Sequence, residues 1–321
     1  MKYIDLHCHL DGCITKEIAK DLAKMQKITL PEDEELSRRL TVKENCADLG
    51  EFLERFALPC SLLQTGEALQ RAAFLILENM VGQGVAYAEL RFAPQKHTER
   101  GMSQKEAVEA VLCGIKEAKI PANLILCCMR GEDEAKNRET VALAGELLRE
   151  DGGVVALDLA GAEALFPTKD YEKLFAAARE AGVPFTIHAG EADGAESIRR
   201  AVEYGAVRIG HGVRAKEDET VLDLLVKSGI ALELCPTSNY ATQAIKQSEK
   251  FPLAEYLARG IKVTVNTDDP AILGTDIGAE FALLKKHGLS FEGEKTCLKN
   301  AVEAAFTTKE RKEEILREIF G

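Results

Sequence analysis

The segments Thr186-Ile187-His188-Ala189-Gly190-Glu191 and Arg208-Ile209-Gly210-His211-Gly212 decide how this chain is read. Each is a short apolar run that delivers a histidine at its end, and a helical stretch between them closes at Gly205. A strand, a polar loop, an amphipathic helix and a glycine make one unit, and the unit recurs in both directions. Apolar runs at residues 3–6, 85–91, 124–129, 154–159, 185–188, 207–210, 230–234 and 262–266 give eight expected strands. Gly182, Gly205, Gly229 and Gly260 stand where a helix must stop ahead of a strand and a positive φ is wanted. Ser103-Gln-Lys-Glu106 and Thr307-Thr-Lys-Glu310 have the spacing of helix capping boxes.

Nearly continuous apolar strands alternating with helices imply a parallel sheet covered by helices. Eight such units, with no Gly-rich phosphate turn after the first strand, favour a closed (β/α)8 TIM barrel over an open doubly wound sheet. The long interval before the second strand holds helix patterns at 15–27, 48–58 and 67–82, a first barrel helix plus a helical insertion able to cap the barrel mouth. Phe52, Leu53 and Phe56 are expected in the core of that insertion, with lining of the pocket beneath it as their second reading, and the charged run 31–39 on the surface. With 321 residues and no obvious linker, residues 1–321 read as one domain.

Composition narrows the partners. Hydrophobic residues at 46% and charged residues at 29% fit a soluble globular protein. A balance of 41 basic to 53 acidic residues, net −12, argues against nucleic acid and membrane surfaces, which recruit clustered Lys and Arg. Nine cysteines without a C-x-x-C pair sit mostly in apolar segments and read as buried free thiols. The start runs directly into a strand pattern and no apolar run nears the ~20 residues of a membrane helix, so a cytoplasmic location is expected.

Barrel active sites gather where strands end. The first strand runs into His7-Cys8-His9, and residues two apart on a strand share a face. His188 and Glu191 follow the fifth strand, His211 the sixth, and Asp268-Asp269 the eighth. His97 and His287 lie elsewhere and read as structural. The favoured metal ligands are His7, His9, His188 and Asp268 around one divalent ion with a position left for water. Zinc suits this imidazole-rich set, with iron, cobalt or manganese as alternatives. No lysine ends the fourth strand, where a bridge to a second ion would stand, so one ion per chain is expected.

The pieces His-Cys-His-Leu-Asp-Gly (7–12), Tyr-Ala-Glu-Leu-Arg-Phe-Ala-Pro (87–94), Asp-Leu-Ala-Gly-Ala-Glu (158–163), His-Ala-Gly-Glu (188–191), Arg-Ile-Gly-His-Gly (208–212), Glu-Leu-Cys-Pro-Thr-Ser-Asn (233–239) and Asn-Thr-Asp-Asp-Pro (266–270) together resemble the adenosine deaminase family of the amidohydrolase barrels. The resemblance implies a purine nucleoside substrate and zinc-dependent hydrolysis of its 6-amino group, with activated water attacking the purine 6-carbon. It assigns catalytic roles to Glu191, which protonates the purine 1-nitrogen, to His211, which orients the water, and to Asp268. It also implies substrate contacts from His9, from Asp11 near the ribose 5′-hydroxyl, from the Gly161 N–H to the 3-nitrogen, and from Asp269 to the 7-nitrogen. Asp11, rather than Glu, favours a nucleoside over free adenine, and its charge disfavours a 5′-phosphate. Adenine, 6-amino-6-deoxyfutalosine and 5′-modified adenosines are the alternative substrates. A catalytically silent purine-binding protein would be missing one of the site residues, and none is missing. Glu89 and Arg91 read either as supports of the site or as an ion pair in a barrel layer.

Overall fold

A computed structural model describes residues 2–42 and 49–321. Among these residues eight strands appear in sequence order: β1 (Tyr3–His9), β2 (Val85–Phe92), β3 (Ala122–Met129), β4 (Val154–Ala160), β5 (Thr186–Ala189), β6 (Arg208–His211), β7 (Ala231–Leu234) and β8 (Val263–Val265). All neighbours pair in parallel, β1 to β4 as one sheet and β5 to β8 as another. Two seams join the sheets. Leu157 pairs with Phe185 between β4 and β5, and Cys8 pairs with Asp268 just past β8. At the second seam the His9 N–H donates to the Asp268 carbonyl and the Asp268 N–H to the His7 carbonyl, each at 2.8 Å. The expected (β/α)8 TIM barrel is therefore the observed fold.

The strands are buried along almost their whole length, as parallel strands covered by helices must be. β1 runs to His9, past the end of its apolar pattern, because Cys8 and His9 keep pairing with Leu90 and Arg91 of β2. That extension fixes His7 and His9 on a rigid strand. Alternate residues of β2 divide their work: Ala86, Ala88 and Leu90 join the apolar core, whereas Glu89 and Arg91 reach charged partners on other strands.

The insertion between β1 and β2 is helical, as expected: Lys16–Gln26, Asp33–Leu40, Leu49–Leu53, Ala57–Leu62 and Gly66–Gly82. The continuous helix expected over 48–58 is instead two short helices separated by a tight turn at Glu54–Phe56, and Asp48 lies outside the described residues. The charged run 31–39 falls on the helix Asp33–Leu40, which buries Leu36 and Leu40. Ser103 and Glu106 form the expected capping box. At the last helix the cap is Thr308 and not Thr307, because the Thr307 hydroxyl is engaged by Asp151 at 2.7 Å. All the cysteines among the described residues are free. Cys113 is exposed, contrary to the buried reading, and Cys46 lies outside the described residues. No helix among the described residues is long and apolar enough to cross a membrane.

Candidate active site

The ends of β1, β5, β6 and the turn after β8 meet at one point. His7 Nε2 lies 3.1 Å from His188 Nε2 and 3.1 Å from Asp268 Oδ1. His9 Nε2 lies 3.2 Å from His188 Nε2 and 3.4 Å from Asp268 Oδ1. Donors held about 2.0–2.2 Å from a common ion are separated by roughly these distances. His211 stands beside the group, with Nε2 3.9 Å from Asp268 Oδ2. His7, His188, His211 and Asp268 can also each offer an atom to one ion, so the cluster holds one more imidazole than the expected ligand set. His211, at the end of β6, and Asp268, in the turn past β8, both adopt positive φ, 60° and 62°, a strained conformation for residues with side chains.

The chemistry of the donors fits a cation. His7 Nδ1 faces Glu233 Oε2 at 2.7 Å and His188 Nδ1 faces Asp158 Oδ2 at 2.9 Å. A carboxylate at Nδ1 holds the ring proton there, so the Nε2 lone pairs are the ones that converge. Arg91 bridges the two supporting carboxylates, donating to Asp158 Oδ2 at 2.9 Å and to Glu233 Oε2 at 2.8 Å. Arg208 donates to Glu233 Oε1 at 2.6 Å and pairs with Glu89 at 2.7 Å. Burial opposes ionisation of both acids, but His188 and Arg91 hold Asp158 below the usual carboxylate range, and Arg91 and Arg208 do the same for Glu233. Burial lowers His9 and takes His188 down to about 4. Burial and Arg91 also push His7 down, but Asp268 and Glu233 outweigh them and raise it. Burial opposes the charge on Asp268, yet His211 and His7 keep it well below the carboxylate range.

Two other carboxyls behave in the opposite way. Burial raises Glu191, helped by Asp268 and Glu163; its Oε1 accepts from the Thr242 hydroxyl at 3.1 Å and its Oε2 lies 3.6 Å from His211 Nε2. Burial, with Asp268 and Asp11 nearby, raises Asp269 well above the carboxylate range. Two adjacent aspartates thus have opposite tendencies, Asp268 ionised and Asp269 protonated. Asp11 is taken up to about 6 by burial, and Cys60 Sγ donates to its Oδ2 at 3.6 Å. Oδ1 of Asp11 and Oδ1 of Asp269 are buried with no hydrogen-bond partner among the described residues, as expected of atoms that await a ligand.

These groups face one cavity of about 400 Å³, a size suited to a small-molecule site. His9, Asp11, Gly161, Glu191, His211, Asp268 and Asp269 line it. Phe52, Leu53 and Phe56 line it too, the second of the two readings their sequence allowed; Phe52 also packs on Ile272. His97 and His287 do not line this cavity: His97 is buried against the Leu63 carbonyl and His287 meets Tyr240. Sequence reading missed Asp158 and Glu233 as supports of the histidines. It missed Asn239 too, whose side chain lies 3.0 Å from His211 Nδ1, and Thr242. Glu89 and Arg91 are not a pair with each other; each joins the buried network with other partners.

Comparison with known proteins agrees with this geometry. The family model for adenosine deaminase matches residues 3–321. A protein of Haemophilus ducreyi named adenosine deaminase is 45% identical, covering 98% of this chain and 95% of its own. One of Clostridium botulinum with the same name is 42% identical, covering 97% and 96%. The crystal structure of an adenine deaminase from Arthrobacter aurescens superimposes with a TM-score of 0.89 at 30% identity, covering 99% of this chain and 97% of that one. With a family match along almost its whole length and a buried His/Asp cluster at the ends of its strands, the chain belongs to the adenosine deaminase family.

Proposed function

We propose that the enzyme hydrolyses adenosine, and by the same contacts 2′-deoxyadenosine, to the inosine product and ammonia. The observation that carries the reading is a single cavity in which an ionised Asp268 beside converging imidazoles faces two carboxyls, Glu191 and Asp269, biased toward holding protons. His7, His9, His188 and Asp268 are the residues suited to hold one zinc ion, and His211 stands close beside them. Bound there, zinc would supply the Lewis acidity that makes a water nucleophilic near neutral pH.

The protein's own groups do the rest. Glu191 donates its proton to the purine 1-nitrogen, which draws electrons from the ring and leaves the 6-carbon open to attack. His211 orients the attacking water and Asp268 balances the charge that develops on it. Water adds at the 6-carbon, and the 6-amino group leaves as ammonia once it has gained a proton. Asp269 donates to the 7-nitrogen, the Gly161 N–H to the 3-nitrogen, and His9 borders the substrate. Asp11 accepts from the ribose 5′-hydroxyl, and its negative charge above about pH 6 repels a 5′-phosphate. The substrate class is therefore a purine nucleoside.

The test is steady-state kinetics of the zinc-loaded protein on adenosine, 2′-deoxyadenosine, adenine and aminofutalosine, alongside Glu191→Gln. The variant should keep its zinc and lose about 10²–10⁴-fold in kcat. A near-normal rate in the variant removes the role of Glu191, and a preference for adenine removes the nucleoside assignment.

A further inference from the structure

Glu163, in the loop after β4, is 1% exposed, yet its carboxylate is surrounded by donors. It accepts from the backbone N–H groups of Gly190 at 2.8 Å, Glu191 at 3.0 Å, Ala192 at 2.6 Å and Asp193 at 3.1 Å. The Ser197 hydroxyl adds a fifth donor at 2.5 Å. Successive backbone N–H groups curled around one negative group form the concavity that proteins use for anions, but here the anion is a side chain of the same protein. Charge-assisted bonds of this kind are stronger than neutral ones, so the segment wound around Glu163 is held firmly.

The other end of the same turn is held as well. Arg130, just past β3, donates to the His188 carbonyl at 2.6 Å and to the Thr168 hydroxyl at 2.9 Å. Thr168 and Ser197 share a hydrogen bond at 2.6 Å, and Ser197 returns to Glu163. The turn from His188 to Asp193 is thus gripped at a carbonyl by Arg130 and at its N–H groups by Glu163. Glu191 rides on this turn. Among the described residues its own side chain has a single hydrogen-bond donor, Thr242, so its aim depends on the backbone beneath it.

We propose that Glu163 is a positioning residue for Glu191: it fixes the loop after β5 so that the Glu191 carboxyl is aimed at the substrate before binding. The inference rests on Glu191 being the proton donor. Loops are mobile unless tied down, and a misplacement of about 1 Å at a reacting group can cost on the order of 10²-fold in rate. The two oxygens divide the turn between them: Oε2 serves Glu191, Ala192 and Asp193, and Oε1 serves Gly190 and the Ser197 hydroxyl, so the loss of either acceptor leaves backbone N–H groups of the turn without a partner.

Glu163→Gln keeps the shape and one acceptor but, in either orientation of its amide, turns an NH2 toward at least one of the four N–H groups. It is expected to retain parental zinc content and a KM for adenosine within about threefold, with kcat reduced by about 10²-fold. In a Glu191→Gln background the same change should cost less than about threefold, because the group being aimed is gone. A merely structural role predicts instead losses that multiply. Normal kcat in E163Q, multiplying losses in the double variant, or loss of zinc would each overturn the proposal. The two readings separate cleanly: an active E191Q removes the proton-donor role, whereas an impaired E191Q beside an active E163Q removes only the positioning role. Should E163Q fail to fold, S197A removes one donor from the same carboxylate. It should show a several-fold fall in kcat at unchanged KM, and an unchanged kcat there overturns the proposal.

Discussion

Gly12 has no side chain, and Asp269 fills the space that one would need: a Cβ at Gly12 would stand 1.8 Å from Asp269 Oδ1. The carboxyl expected to hold a purine ring nitrogen is therefore seated against the backbone of the β1 loop. Gly12→Ala should push Asp269 aside without touching the expected metal ligands. Overpacking of this kind typically costs about 1–3 kcal/mol of stability, and the misplaced contact should lower kcat/KM for adenosine by about 10²-fold at unchanged zinc content. Parallel metal analysis and kinetics check this, and a normal kcat/KM would mean that Asp269 can shift without consequence. At this scale the sequence was readable where chemistry interrupts an apolar pattern. His7, His9, His188, His211 and Asp268 stand out because each is a polar residue at the end of an apolar strand. Asp158 and Glu233 do not, since each sits within a strand and acquires meaning only from a histidine brought to it by the closed barrel.

Elements show a second limit on legibility. The insertion was recognisable as helical from its periodicity, but an apolar stripe looks the same whether it faces other helices or an empty cavity. Phe52 does both, which is why the pattern left its two readings open. Glu280 poses the same problem in polar form. On the helix Ile277–Lys286 it is fully buried, accepting from the Thr237 N–H at 2.9 Å and the Thr275 hydroxyl at 2.6 Å, so it ties that helix to the short helix Pro236–Ala241 after β7. Burial takes its carboxyl from 4.5 up to about 7. The folded protein then holds a proton that the unfolded chain releases near pH 4.5, so the contribution is full below that pH and is lost as pH rises through about 7. The size is on the order of 3 kcal/mol. Glu280→Gln, which cannot titrate, should gain stability relative to the parent protein between pH 5 and pH 8. Denaturant unfolding of both proteins across that range measures the difference, and parallel stability curves would show that Glu280 stays ionised when folded.

The whole molecule explains why the site can also brace the fold. The eight-unit repeat made the barrel legible, but periodicity does not reveal where a barrel is least continuous. That place is the pair of seams, Leu157 with Phe185 and Cys8 with Asp268, which join two four-stranded sheets. The expected ligands straddle them: His7 and His9 come from the first sheet, His188 from the second, and Asp268 from the closing turn. An ion held by all four would tie the first sheet to the second, directly across the seam between β1 and the turn after β8, and its binding free energy would count toward folding. Stabilisation follows RT ln(1 + [L]/Kd), about 4 kcal/mol when free zinc exceeds Kd by about 1,000-fold. Chelation should therefore lower Tm, and zinc should restore it. Hydrogen exchange should accelerate first at the amides of His9 and Asp268, which bond across the seam, and later in the outer helices. A Tm that ignores chelation, or exchange that rises evenly over the chain, would mean that the barrel closes without help from the ion and that the cluster serves catalysis alone.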